Sequence, residues 1–172
     1  IETSLNVTRQ FLLHTFDALN EHGVYLPGII IKTNMVRSGV QSDTQAESGE
    51  IAKKTLALVY EIFPRDIPGI AFLSGGMSES QATESLSLIN ALDSKKEFFF
   101  SFSYGRALQA SCLKAWQGKP ENTQLAQKVL FLRAQLNSIA CHGRYSPDME
   151  NAFEDLSSID SDTDLFESNY SY

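Results

Sequence analysis

Residues 28–35 read GIIIKTNM, three isoleucines leading to a single lysine, Lys32. Pro27–Gly28 stands at the start of this run and a polar stretch, residues 33–46, follows it. A short β-branched run between such boundaries predicts a strand over 24–32 rather than a helix. The same unit recurs twice. GIAFL at 69–73 runs into Ser74–Gly75–Gly76, and EFFFSFS at 97–103 runs into Tyr104–Gly105. Helical spacing of apolar residues occupies 6–22, 48–62, 78–92, 106–118 and 121–141. Gly23 and Gly118 are placed to end helices, Ser48 to cap one, and Ser78 with Gln81 to form a capping box. Strand, polar loop and helix repeated in this order imply an α/β fold with a parallel sheet and helices on its faces. The strand sequences are continuously apolar, so burial on both sides is expected, as in a doubly wound sheet or a barrel. Trp116 and Phe98–Phe100 read as core.

At 172 residues the chain can bury one sizeable core, and 42% hydrophobic with 20% charged content suits a globular protein. No apolar run approaches the roughly 20 residues that cross a bilayer, so no membrane role is expected. Cys112 and Cys141 fit no metal-ligand spacing and are expected to be reduced thiols in a cytoplasmic protein. The three histidines show no metal spacing either. Eight of the 21 acids and none of the 14 lysines and arginines lie in 145–172, so that segment carries −8 and residues 1–144 carry +1. This separates a neutral body, 1–144, from an acidic, mobile tail, 145–172, of the same domain. The acidity argues against nucleic acid as a partner.

In parallel α/β folds, chemistry gathers at the carboxyl ends of the strands. Those positions hold Lys32, then Ser74, Gly75 and Gly76, then Ser103, Gly105 and Arg106. Glycines let a ligand approach the backbone, and the helix after each loop offers free N–H groups to an anion. Arg106 adds a guanidinium suited to phosphate. Glycine between strand and helix also serves as plain turn punctuation. Lys32 has two readings as well. It can lie along apolar surface with its charge in water, or act as an amine that attacks a carbonyl to form a Schiff base.

The stretches GIIIKTNMV, GIAFLSGGMSE and FSFSYGRALQASCLKAW and the terminal SNYSY together resemble class I fructose-bisphosphate aldolase, in one order over the whole chain. The resemblance implies a TIM barrel, of which this chain would supply about the sixth to eighth strands with their helices and the C-terminal tail. It implies a metal-independent lyase of glycolysis that cleaves fructose 1,6-bisphosphate reversibly to dihydroxyacetone phosphate and glyceraldehyde 3-phosphate. Lys32 would form the Schiff base. Ser74, Gly75 and Gly76, with Ser103, Gly105 and Arg106, would bind a substrate phosphate, and Tyr172 would assist proton transfer. It further implies a cytoplasmic homotetramer when full length. Thr33 stands where the family has proline, which is expected to loosen the backbone after Lys32. A TIM barrel needs about 250 residues, and the chain begins at Ile1. It is therefore expected to be the C-terminal half of a longer enzyme and inactive alone. The alternative is a truncated or diverged aldolase-like protein without catalysis, acting as a structural or binding protein.

Overall fold

The computed structural model describes the backbone of residues 1–156 and the side chains of residues 1–151. α1 (Glu2–Glu21) leads through a short 3-10 turn at Leu26–Gly28 into β1 (Ile30–Asn34). α2 (Ser48–Ile62), β2 (Gly69–Leu73), α3 (Glu79–Leu92), β3 (Phe99–Phe102), α4 (Arg106–Trp116) and α5 (Thr123–Ala140) follow, and a 3-10 segment spans Pro147–Leu156. The strands form a parallel sheet in the order β1-β2-β3. The parallel α/β expectation therefore holds for the described residues.

The register decides which side chains share a face. Ile31, Ile70 and Phe100 stand in one row, and Thr33, Phe72 and Phe102 in the next. Ile70, Phe72, Phe100 and Thr33 are buried against the helices, and the Phe72 and Phe100 rings stack 6.0 Å apart. The alternate rows, Ile30–Gly69–Phe99 and Lys32–Ala71–Ser101, point to the opposite side. There Ile30 is 68% and Phe99 83% exposed. Among the described residues the helices cover one face, so burial on both faces is not seen there.

Several local readings change for physical reasons. Pro27 and Gly28 sit in the 3-10 turn, so β1 starts later than expected and runs on to Asn34. Lys32 is consequently the third residue of five and not the strand's tip. Thr33 is buried and registered with Phe72, so the segment after Lys32 is held in the sheet rather than loosened. Ser48 caps nothing. Glu47 holds the N-cap position of α2, and the Ser48 hydroxyl donates to Glu84 Oε2 at 2.6 Å, tying α2 to α3. The Ser78 cap is present, with its Oγ accepting from the Gln81 N–H at 3.2 Å. α4 ends at Trp116 because Gln117 already adopts φ 55°. Phe98 and Phe100 are core residues, but Phe99 is not, and Trp116 is 42% exposed.

The helical side is sealed by polar clasps as well as apolar packing. Arg9 pairs with Glu61 and Lys54 with Glu2, joining α1 to α2. Arg133 of α5 is fully buried and grips Glu150 with both terminal nitrogens, at 2.6 and 2.9 Å. The Tyr145 hydroxyl donates to the same carboxylate at 2.7 Å, and Tyr145 itself is buried. The charge step at residue 145 is therefore not where packing stops.

Candidate functional site

The ends of β2 and β3 bring the two predicted glycine loops to one rim. β1 and β2 align Asn34 with Leu73, and the Ser103 N–H donates to the Phe72 carbonyl at 2.8 Å, carrying the β3 ladder one residue further. The loops Ser74–Gly76 and Ser103–Gly105 are thus neighbours. Lys32 lies on the open face in the row with Ala71 and Ser101, about 6.6 Å behind the Asn34–Leu73 row. β1 and β3 lie on either side of β2, roughly 10 Å apart. Lys32 is exposed, and the strand residues that share its face are Ile30, Asn34, Gly69, Ala71, Leu73, Phe99 and Ser101.

The two glycine loops differ. Gly75 and Gly76 sit at φ 55° and 79°, and the Met77 N–H closes onto the Ser74 carbonyl at 3.0 Å. Positive φ at both central positions is the type I′ arrangement, which side chains other than Asn and Asp resist. A Cβ on Gly75 would make only ordinary contact with Leu73, at 3.4 Å, so backbone conformation and not crowding selects glycine there. The helix that follows is already satisfied: Ser78 caps α3 and Glu79 puts a carboxylate in its first turn. That carboxylate is buried and accepts from the Ser111 N–H at 3.1 Å and the Ser111 hydroxyl at 3.0 Å. Burial pushes the Glu79 carboxyl above its ordinary range, against the pull of the Ser111 amide and Arg133.

Gly105 is different. It is the N-cap of α4 and supplies no side-chain cap, and Arg106 opens the helix with no acid in the first turn. Apart from Gly105 itself and its two chain neighbours, no described atom lies within 4 Å of where a Gly105 Cβ would stand. An N-terminal dipole end and open backbone coincide there, and Arg106 is the first residue of the helix. The two helix starts thus differ: α3 carries a side-chain cap and an acid in its first turn, and α4 carries neither. A cavity of about 720 Å³ opens nearby, lined in part by Arg37, Glu47, Ser48, Ser78, Gln81 and Glu84. Its carboxylates suit it poorly to phosphate, and none of the predicted site residues lines it.

The family model for class I fructose-bisphosphate aldolase, the glycolytic type, matches residues 1–172. The chain belongs to the class I fructose-bisphosphate aldolase family. It is 45% identical to fructose-bisphosphate aldolase 1 of Caenorhabditis elegans over 96% of its own length and 44% of that protein's. With aldolase B of Gallus gallus it shares 44% identity over 81% of the chain and 38% of the relative. It also resembles the solved Plasmodium falciparum aldolase, a structure in complex with TRAP and a small-molecule inhibitor. There the TM-score is 0.81 and the identity 42%, over 84% of this chain and 42% of the other. This aldolase chain spans less than half the length of these relatives.

Tyr172 lies outside the described residues. Among those described, no group of three or more His, Cys, Asp or Glu could hold a metal ion, and no helix is long and apolar enough to cross a membrane. Cys112 and Cys141 are free thiols, each pushed up chiefly by burial. Sequence reasoning missed Arg37, which reaches from the loop after β1 to donate to the Gly75 carbonyl at 2.9 Å. Its signal was modest: it is the sole lysine or arginine in residues 33–46 of an otherwise polar loop.

Proposed function

We propose that this chain carries the Schiff-base lysine and a phosphate site of a class I fructose-bisphosphate aldolase, a lyase of glycolysis. The reading rests on the family and on one observation: Lys32 stands on the open face, one row behind the ends of β1 and β2, on the same sheet whose β2 and β3 run into the two adjacent glycine loops. The three strands would be the sixth to eighth of a TIM barrel, whose interior would cover Ile30 and Phe99 on that open face. The substrate would be fructose 1,6-bisphosphate, cleaved reversibly to dihydroxyacetone phosphate and glyceraldehyde 3-phosphate. The neutral Lys32 amine attacks the ketone carbon, and the carbinolamine loses water to give an iminium. The iminium then takes up the electron pair of the breaking carbon–carbon bond. Ser74, Gly75 and Gly76 with Ser103, Gly105 and Arg106 would hold a substrate phosphate, and Tyr172 would move a proton. No metal is needed, since the iminium is the electron sink. The full-length enzyme would be a cytoplasmic homotetramer.

A second reading has its own support. Among the strand residues on the open face, none besides Lys32 is ionisable. General acid–base help is worth about 10²–10⁴-fold, so the 172-residue chain alone would form an adduct yet turn over weakly. A truncated aldolase-like binding protein would look the same. Borohydride reduction of the chain with dihydroxyacetone phosphate, read by mass spectrometry, tests the first reading. A reduced adduct should concentrate on the Lys32 peptide and vanish in Lys32→Arg. Labelling spread evenly over surface lysines would defeat the Schiff-base assignment.

A further inference from the structure

Arg37 is mounted on a fixed stretch of chain. Its neighbour Val36 is fully buried and its N–H donates to Thr55 Oγ1 of α2 at 2.8 Å. On the other side Ser38 is buried, and its Oγ accepts from the Ala46 N–H at 3.1 Å. From this mount the Arg37 Nε–H donates to the Ser38 carbonyl at 3.1 Å, which orients the guanidinium. One terminal nitrogen then donates to Gly75 O at 2.9 Å, across 38 residues of sequence.

The acceptor matters. Gly75 and Gly76 are the two central residues of the turn, so the peptide between them is the one most free to turn over. A turned-over peptide would convert the type I′ turn to type II′, in which only the first central residue keeps positive φ. The peptide is planar and trans, so its C=O and N–H point in opposite directions and reverse together. In the reversed state the Gly76 N–H would face the Arg37 N–H, donor against donor. Arg37 therefore favours one orientation of this peptide and disfavours the other.

We propose that Arg37 is a positioning residue that locks the Gly75–Gly76 peptide and so presets the backbone amides of the Ser74–Gly76 loop for a phosphate. The proposal rests on the phosphate reading of that loop given above. It also ties the loop after β2 to the chain leaving β1, the strand that bears Lys32. The effect of Arg37 passes through the loop.

The test uses the whole 172-residue chain, with amide hydrogen exchange and a titration with inorganic phosphate followed by NMR. Arg37→Met keeps an apolar stem and removes the donors. Exchange of the Gly76 N–H, which belongs to the peptide that Arg37 holds, should quicken about tenfold, and phosphate should bind about tenfold more weakly. The denaturation midpoint should not move, which separates the local effect from unfolding. Arg37→Lys should recover only part of both, because an ammonium lacks the fork that bonds Ser38 O and Gly75 O together. Weaker phosphate binding with unchanged exchange would make Arg37 a distant charge and overturn positioning. Unchanged values of both would overturn it too. Faster exchange with no phosphate response at Gly75, Gly76 or Gly105 in the unmodified chain would uphold the brace and remove the phosphate reading.

Discussion

The two faces of one sheet are built from the same strands to opposite ends. On the helical face, Ile70, Phe72 and Phe100 are sealed under α-helices. On the other, Ile30 and Phe99 are as apolar but stand in the open, with Lys32 between their rows and the strand ends. Alternation along a strand gives both faces the same supply of residues, and only packing separates them. The helical face carries stability, and the open face carries Lys32. In the chain as it stands, the open face contributes little burial, since apolar surface stabilises only when water leaves it.

This contrast is broken most directly by two substitutions of the same residue type. Phe72→Ala should cost about 3–5 kcal/mol, the range for emptying a packed aromatic site. Phe99→Ala should change stability by no more than about 0.5 kcal/mol, as an exposed position does. Guanidinium unfolding of both variants decides it. A cost for Phe99→Ala that approached the Phe72→Ala value would mean that something covers the open face in solution, a second copy of the chain being one source.

One layer further out, the contrast is between apolar and ionic seams. Arg133 is wholly buried, and Glu150 neutralises it from the 3-10 segment that follows α5. Glu150→Gln keeps the shape and one acceptor but takes an opposite charge from the buried Arg133, and should cost about 2 kcal/mol. Arg133→Met with Glu150→Gln should recover part of that loss, because removing both charges removes the desolvation problem. A null effect of Glu150→Gln would show that the start of the acidic segment is not part of the folded body.

How much of this was legible depended on whether the deciding force was local. Strand β2 and helix α2 were readable to the residue, since GIAFL and the spacing over 48–62 carry their own boundaries. The Ser78 cap was readable because it spans three residues. The exposure of Phe99 was not, because an apolar strand residue looks the same whether or not a layer covers it. Ser48 shows the same gap: its hydroxyl had a better acceptor in Glu84, 36 residues away, than the helix it begins. At the site, Lys32 and the two glycine loops were found by strand-end logic and resemblance. The inequality of the loops was hidden until the caps of α3 and α4 could be compared. Arg37 was hidden because its partner is a backbone carbonyl, which leaves no mark on the sequence.

The smallest expected effect is one of pH, and it too belongs to the helical side. Tyr60, at the end of α2, donates to Asp93 Oδ1 at 2.5 Å, with Lys95 4.4 Å and Arg65 5.2 Å from its ring centre. Burial, then the bond to Asp93, pushes its phenol up to about 12. An unfolded tyrosine titrates near 10. Between these values the folded chain holds a proton that the unfolded chain has lost, so stability falls as pH rises. The contribution is whole below about pH 10 and gone above about pH 12. Tyr60 is half-buried, so screening reduces it to about 1 kcal/mol. Tyr104 and Tyr145, also pushed upward by burial, act in the same direction. Tyr60→Phe should therefore make the alkaline slope of stability shallower without abolishing it, measured by urea midpoints from pH 8 to 11. An unchanged slope would assign the alkaline weakness to the other groups that burial pushes up, Tyr104, Tyr145, Cys112 and Cys141.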